Sequence, residues 1–313
     1  MVRIGIDVGG TGIQMGVVDP EGRILQKGGI VTRTDLPFPE QVAQMAACAK
    51  DTLQRSGHTL EELESIGAGV PGVADYRTGV IPFCTNMGWH NVPFREEFQK
   101  HFAKPIYIDN DATVAGLAES VAGVSAGTSS SVFITLGTGV GGGIVIGGRV
   151  WSGAHGVGSE IGHMTLELDG EPCTCGNRGC LERYCSATAI IRMAREQLQK
   201  HPDSLIMTLC DGDPARVEAK TVFDAAREGD PTALKVFRRF ISCLAQAINS
   251  ITALLDPEIF VLGGGVSKAG SFLLDAVRAE VPRYALYKML PLPRIELARL
   301  GADAGIIGAA MLQ

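Results

Sequence analysis

Apolar residues dominate residues 2–8 (VRIGIDV) and give way to Gly9-Gly10-Thr11-Gly12, which predicts a buried strand running into a tight turn. Residues 13–19 predict a second strand, and Pro20-Glu21-Gly22 turns the chain into a third from Arg23. Over residues 39–55 the spacing of Val42, Met45, Ala46, Ala49 and Leu53 is helical, and Gly57 ends the run. Residues 66–70 read as a strand entering Pro71-Gly72, and residues 85–94, with Asn86 and Trp89, as an irregular loop. A strand over 105–109 follows, and Asn110-Asp111 opens a helix to about residue 121.

The pattern then restarts. Residues 130–136 predict a strand, 137–143 (GTGVGGG) a glycine turn and 144–151 more strand, so both halves open alike in a weak internal duplication. Helices are expected over 187–200 and 222–228. A longer one over 231–255 starts at Asp230-Pro231, carries a stripe of Val236, Phe240, Leu244, Ile248, Ile251 and Leu255, and stops at Pro257. A strand over 258–262, a turn over 263–267, a helix over 268–280, a strand over 294–298 and a helix over 303–312 complete an alternating α/β chain.

Composition narrows the class. A chain of 313 residues is long enough for two domains, and 45% hydrophobic with 20% charged residues is ordinary for a soluble protein. A net charge of −6 argues against nucleic acid as a partner. No signal peptide is expected, because the apolar run at residues 4–8 is broken by Asp7 and then by glycines. Residues 120–148 carry no charge, but seventeen of these 29 are Gly, Ser or Thr, so no membrane span is expected and the location is read as cytoplasmic.

The densest chemistry lies in residues 160–182, EIGHMTLELDGEPCTCGNRGCLE. Cys173, Cys175 and Cys180 fall within eight residues, with His163 ten residues upstream of Cys173, a ligand set that closes a tetrahedral structural zinc site. A disulfide or buried thiols are the plainer readings, but C-x-C spacing strains a direct bridge and zinc is preferred. Glu160 and Glu182 bracket the cluster, where a metal would fix their direction. Residues 137–142 match G-x-G-x-x-G, but they lead into a strand rather than a helix, which rejects a dinucleotide site. There is no Walker motif. Three glycine turns, each with a hydroxyl (Thr11, Thr138, Ser267), together suit phosphate oxygens approached by bare backbone. Asp111 at a strand-to-helix junction is an ordinary helix cap if taken alone.

These residues resemble the ROK family of sugar kinases and repressors, within the actin/hexokinase-like (ribonuclease H-like) ATPases. DVGGTGI (residues 7–13) and LGTGVGGG (136–143) are similar to its two phosphate loops, GGGVS (263–267) to its adenosine-side turn and NDA (110–112) to its catalytic segment. EIGH and CTCGNRGCLE are similar to its zinc and sugar signatures, and GADAGIIGAA extends the resemblance to the end of the chain.

The resemblance implies two α/β lobes with an active-site cleft between them, a small domain of residues 1–118 with 299–313 and a large domain of residues 119–298. It implies ATP and magnesium as cofactors beside structural zinc, with Asp111 as catalytic base and Asp7 holding magnesium through water. Gly9, Gly10, Thr11, Gly137, Thr138, Gly139, Gly264 and Gly265 would contact ATP. Gly72, Asn86, Asn110, Asp111, Glu160, His163 and Glu182 would contact the sugar. The activity implied is phosphorylation of a hexose, glucose first, with N-acetylmannosamine, allose, fructose or a non-catalytic sugar sensor as alternatives, in a homodimer. The repressor branch carries a DNA-reading module ahead of the first loop; here Asp7 is the seventh residue, so the kinase branch is expected. Thr113 departs from the Asn that many members carry.

Overall fold

The computed structural model describes residues 1–313, the side chain of residue 85 excepted. In chain order the elements are β1 Val2–Val8, β2 Gly12–Val18, β3 Ile24–Val31, α1 Phe38–Arg55, β4 Leu63–Val70, β5 Val73–Asp75, β6 Val80–Cys84, β7 Trp89–Val92, α2 Phe94–Gln99, β8 Ile106–Asn110 and α3 Asp111–Ala122. They continue with β9 Ser130–Leu136, β10 Val140–Ile146, β11 Arg149–Val150, α4 Glu182–Cys185, α5 Ala187–Leu198, α6 Leu205–Leu209, α7 Ala219–Arg227 and α8 Pro231–Leu255. Last come β12 Ile259–Gly263, α9 Ser271–Glu280, β13 Arg294–Leu297 and α10 Ala304–Ala310.

Two compact units divide the chain: Met1–Phe133, Gly143–Ser159 and Arg299–Gln313 form one, Ile134–Gly142 and Glu160–Ala298 the other. In the first, a five-stranded sheet has the order β3-β2-β1-β4-β8. β1 pairs antiparallel with β2 and parallel with β4, which pairs parallel with β8. The expected apolar face of α1 is buried in its core, and a chain of rings from Phe38 through Trp89, Phe94 and Phe98 to Phe102 closes one end. Helix α10 lies so close to the sheet that a Cβ on Gly5 or Gly67 would strike the carbonyls of Ile306 or Ala309. Glycine at those positions serves close packing, not turning.

In the second unit α8 has the bounds the pattern predicts, and Val236, Phe240, Leu244, Ile248 and Ile251 are buried. Leu255, the last residue of the expected stripe, is only half-buried, at the end of the helix. β12 pairs parallel with β13. In the first unit β10 pairs antiparallel with β11 (Val145↔Val150, Ile146↔Arg149).

Three expectations are corrected. Residues 85–94 are not an irregular loop, because β7 pairs antiparallel with β6 (Phe83↔His90, Cys84↔Trp89) in a small three-stranded sheet. The buried Trp89 indole donates to Gln41 Oε1 at 3.2 Å, a partner 48 residues away that no local pattern reveals. The turn after β9 is confined to residues 137–139, and Gly141 to Gly143 lie in β10. A Cβ on Gly143 would sit 2.9 Å from the Ala112 carbonyl, so glycine there lets the strand approach α3. The helix expected from residue 268 begins at Ser271: residues Val266–Ala269 form a 3-10 turn, and Gly270 (φ +66°) interrupts it.

Candidate functional site

In the first unit the turn after β1 is closed by the Gly9 amide donating to the Gly12 carbonyl (3.1 Å) and the Thr32 hydroxyl donating to the Gly9 carbonyl (2.6 Å). Gly10 and Thr11 are exposed, and a Cβ on Gly10 would lie 3.3 Å from the Asn86 Cβ. Asp7, on β1, has no hydrogen-bond or ion-pair partner of its side chain among the described residues. Its carboxylate packs on Gly305, where any side chain would strike it, and burial raises its pKa. A carboxylate held free in this way suits a hydrated divalent cation.

The strand-to-helix corner carries the second group of predicted residues. Asn110 is the N-cap of α3, its Oδ1 accepting from the amides of Ala112 (2.9 Å) and Thr113 (3.3 Å). Its Nδ2 donates to the Gly72 carbonyl at 3.0 Å. Gly72 has φ +132°, and a Cβ there would strike the Phe83 carbonyl, so the close approach requires glycine. Asp111, the first helical residue, is exposed, with one carboxylate oxygen accepting from the Ala112 amide at 2.8 Å. Sequence reasoning missed the residue before it: Asp109 is buried, accepting from the Asn110 amide (2.7 Å) and the Ser152 hydroxyl (2.8 Å), with its pKa raised by burial. Thr113 Oγ1 and Ser159 Oγ form a second hydroxyl contact at 3.0 Å.

In the second unit the turn after β9 is closed by the Gly137 amide on the Gly139 carbonyl (2.9 Å). Helix α5 holds it from below, through the Ala187 amide on the Gly137 carbonyl and the Thr188 hydroxyl on the Thr138 carbonyl, each 2.8 Å. Glu182 Oε2 accepts from the Val140 amide at 3.0 Å, so this acid is tied to the glycine turn. Gly264 (φ +83°) presses on the Leu136 backbone, and open space surrounds Gly265. Glu160 precedes the 3-10 turn Ile161–His163, and its carbonyl accepts from the His163 amide at 3.0 Å.

The four expected metal ligands converge: one donor atom each from His163, Cys173, Cys175 and Cys180 lies within 4.8 Å of all the others. Cys173 Sγ is 3.7 Å from His163 Nδ1, and Cys175 Sγ is 3.6 Å from Cys180 Sγ. Bond lengths of about 2.0–2.3 Å to a tetrahedral zinc give ligand–ligand edges of about 3.6–3.8 Å, so the donor set fits that ion. Burial pushes the Cys180 thiol up to about 12, and the Asn177 amide lowers the exposed Cys175 thiol. The loop is held by Gly176 (φ +92°), Gly179 (φ +70°) and the Cys173 amide on the Asn177 carbonyl (2.8 Å). Arg239 anchors it from α8, pairing with Glu167 and lying 5.3 Å from the centre of the Tyr184 ring. All eight cysteines are free thiols.

The chain is 39% identical over 310 residues to the glucokinase of Thermotoga maritima, covering 99% of this chain and 96% of that protein. It is similar to the crystal structure of a ROK family glucokinase from Streptomyces griseus in complex with glucose and AMPPNP, at 34% identity and a TM-score of 0.80 over 99% and 98% of the two chains. It is also similar to the ROK hexokinase of Thermus thermophilus, at 34% identity and a TM-score of 0.87 over 99% and 97%. The mixed α/β fold is therefore that of the actin/hexokinase-like sugar kinases. With a sequence profile matched over residues 3–313, the chain belongs to the ROK family.

Proposed function

We propose that the protein is an ATP-dependent sugar kinase that phosphorylates glucose at its 6-hydroxyl. The observation that carries this reading is the corner at residues 110–111. An exposed carboxylate begins α3 while its neighbour Asn110 is locked onto Gly72 and the helix amides. Phosphoryl transfer needs positioned phosphates and a group to orient and deprotonate the attacking hydroxyl. Asp111 takes that proton. Gly9, Gly10, Gly137, Gly139, Gly264 and Gly265 offer bare backbone to ATP, and Thr11 and Thr138 add hydroxyls. Asp7 holds the hydrated magnesium, which screens phosphate charge when bound.

Gly72, Asn86, Asn110, Glu160, His163 and Glu182 contact the sugar in this reading. Asn110 has one Nδ2 proton left after the Gly72 bond, so it enters as a donor. Zinc on His163, Cys173, Cys175 and Cys180 is structural, its closed ligand set leaving no open position. In this reading the small domain is residues 1–118 with 299–313 and the large domain residues 119–298, a boundary taken from the family resemblance; the compact units instead group residues 119–133 and 143–159 with the first. The kinase acts as a homodimer in glycolysis. Free thiols agree with a reducing cytoplasm, and no helix is long and apolar enough to cross a membrane.

Glucose is favoured by the relatives: the curated proteins at 35–39% identity over nearly the whole chain are glucokinases. The test is an ADP-release assay over glucose, mannose, allose, fructose and N-acetylmannosamine. We expect glucose to lead fructose and N-acetylmannosamine by at least ~10-fold in kcat/KM, about 1.4 kcal/mol of differential transition-state binding. N-acetylmannosamine coming first would remove glucose but leave the kinase, whereas no sugar-dependent ADP release with any of them would remove both.

A further inference from the structure

We propose that two buried hydroxyl contacts, Ser152–Asp109 and Ser159–Thr113, are positioning contacts that aim Asp111 for proton transfer; this rests on the kinase reading above. The four residues bracket Asp111. Asp109 lies two positions before it and Thr113 two after, and both serines come from one short segment, residues 152–159. All four are nearly sealed from water, Asp109 at 4%, Thr113 at 1%, Ser152 at 6% and Ser159 at 7% exposure. Water therefore does not substitute readily for a lost partner.

Asp111 is exposed and is the first residue of α3, and among its interactions is a hydrogen bond from the amide that follows it. The position of its carboxylate therefore starts from the backbone of that first turn. Asn110 caps that turn and ties it to the Gly72 carbonyl on one side, and Asp111 and the residues after it need a second tie. The serine contacts tie the corner to a different stretch of chain. One holds the end of β8 through a carboxylate, the other the first turn of α3 through a hydroxyl.

The rest of the helix does not need them. Val114, Leu117 and Ala118 are buried, and Gly308 of α10 packs on the Val114 carbonyl so closely that no Cβ fits. Loss of one hydroxyl at the helix start leaves that packing in place. It frees only the corner, where a displacement of the order of 1 Å can cost ~10²-fold in rate.

The experiment compares wild type with Thr113→Val, Ser159→Ala, their double variant, Ser152→Ala and the conservative Thr113→Ser. It measures kcat with saturating glucose and ATP, glucose Kd by calorimetry, and thermal midpoint. Thr113→Val keeps the side-chain shape and removes only the hydroxyl. We expect kcat to fall about tenfold in each single variant that breaks a contact, with glucose Kd within about twofold of wild type. The double variant should be no slower than Thr113→Val alone, because Ser159→Ala then removes a contact already broken, and Thr113→Ser should recover wild-type kcat. Unchanged kcat in Thr113→Val and Ser152→Ala, additive losses in the double, or no recovery by Thr113→Ser would each overturn the proposal. A loss confined to the thermal midpoint would do so too, since that is what a purely structural role predicts. If wild type prefers another sugar, the same series is read with that sugar; if it phosphorylates none, the kinase reading fails first and this proposal with it.

Discussion

Glu182 accepts a hydrogen bond from the Val140 amide at 3.0 Å, so the acid that ends the cysteine-rich loop also closes the glycine turn after β9. The carboxylate fills the space where a Cβ on Gly139 would stand. One side chain is thereby shared between the cysteine-rich loop and a turn proposed to hold phosphate. Glu182→Ala should raise KM for both ATP and glucose about tenfold or more, the scale of a lost charge-assisted hydrogen bond. Glu182→Gln keeps an oxygen for the Val140 amide, so its ATP KM should stay within about threefold of wild type while glucose KM rises. Steady-state kinetics with each substrate varied in turn decide this, and an unchanged ATP KM in Glu182→Ala would break the link.

Asp111→Asn removes the proton acceptor while keeping size and helix-start geometry. Turnover should drop by ~10²–10⁴, with calorimetric glucose affinity nearly unchanged. A variant that kept a third of wild-type turnover would transfer the role of base to another group.

One zinc per chain is expected by elemental analysis of the purified protein. Cys175→Ser should lose the metal, expose residues 165–180 to limited proteolysis and raise glucose KM, because Glu160 and Glu182 flank the loop. Stoichiometric zinc persisting in that variant would show that the sulfur is not a ligand.

Asp230 caps α8 and reaches back to α6. It accepts from the Ala233 amide (2.7 Å), the Ser204 hydroxyl (2.9 Å) and the Leu205 amide (3.0 Å). Burial alone would raise its pKa, but these donors outweigh it and hold the carboxyl below its ordinary 3.8. A depressed folded-state pKa means that the stabilisation is present above pH 3.8 and is lost as pH falls through the lower, folded-state value. Asp230→Ala should therefore cost ~1–2 kcal/mol near neutrality. The gap from wild type in urea unfolding should shrink well below pH 3.8. A gap independent of pH would mean that the ionised carboxylate contributes nothing.

Local signals were legible in the sequence. The bounds of β1, β9 and α8 follow from largely apolar runs, from the apolar stripe of α8 and from Asp230-Pro231, whose cap and fixed φ act within one turn. The convergence of His163 and the three cysteines was legible by residue type and spacing, because they lie in a single loop whose glycines fold it back on itself. Asn110 was legible as a helix start, but its second bond, to Gly72, was not.

The tertiary structure decided whatever depends on segments far apart in sequence. The glycines at 141–143 signal a turn as sequence, yet they lie in β10, and Gly143 serves the approach to α3. Trp89 belongs to a strand because β6 pairs with it and Gln41 receives its indole N–H. Asp109 carried no signal of its own, since its partner Ser152 is 43 residues away. Periodicity and caps report interactions within a turn or two of chain, so sequence alone determined elements such as β1, β9 and α8 and the cysteine-rich loop. Hydrogen-bond partners and tolerances for a Cβ are set by where folding brings distant backbone, so only the tertiary structure determined how the corner around Asp111 and the turn beside Glu182 are held.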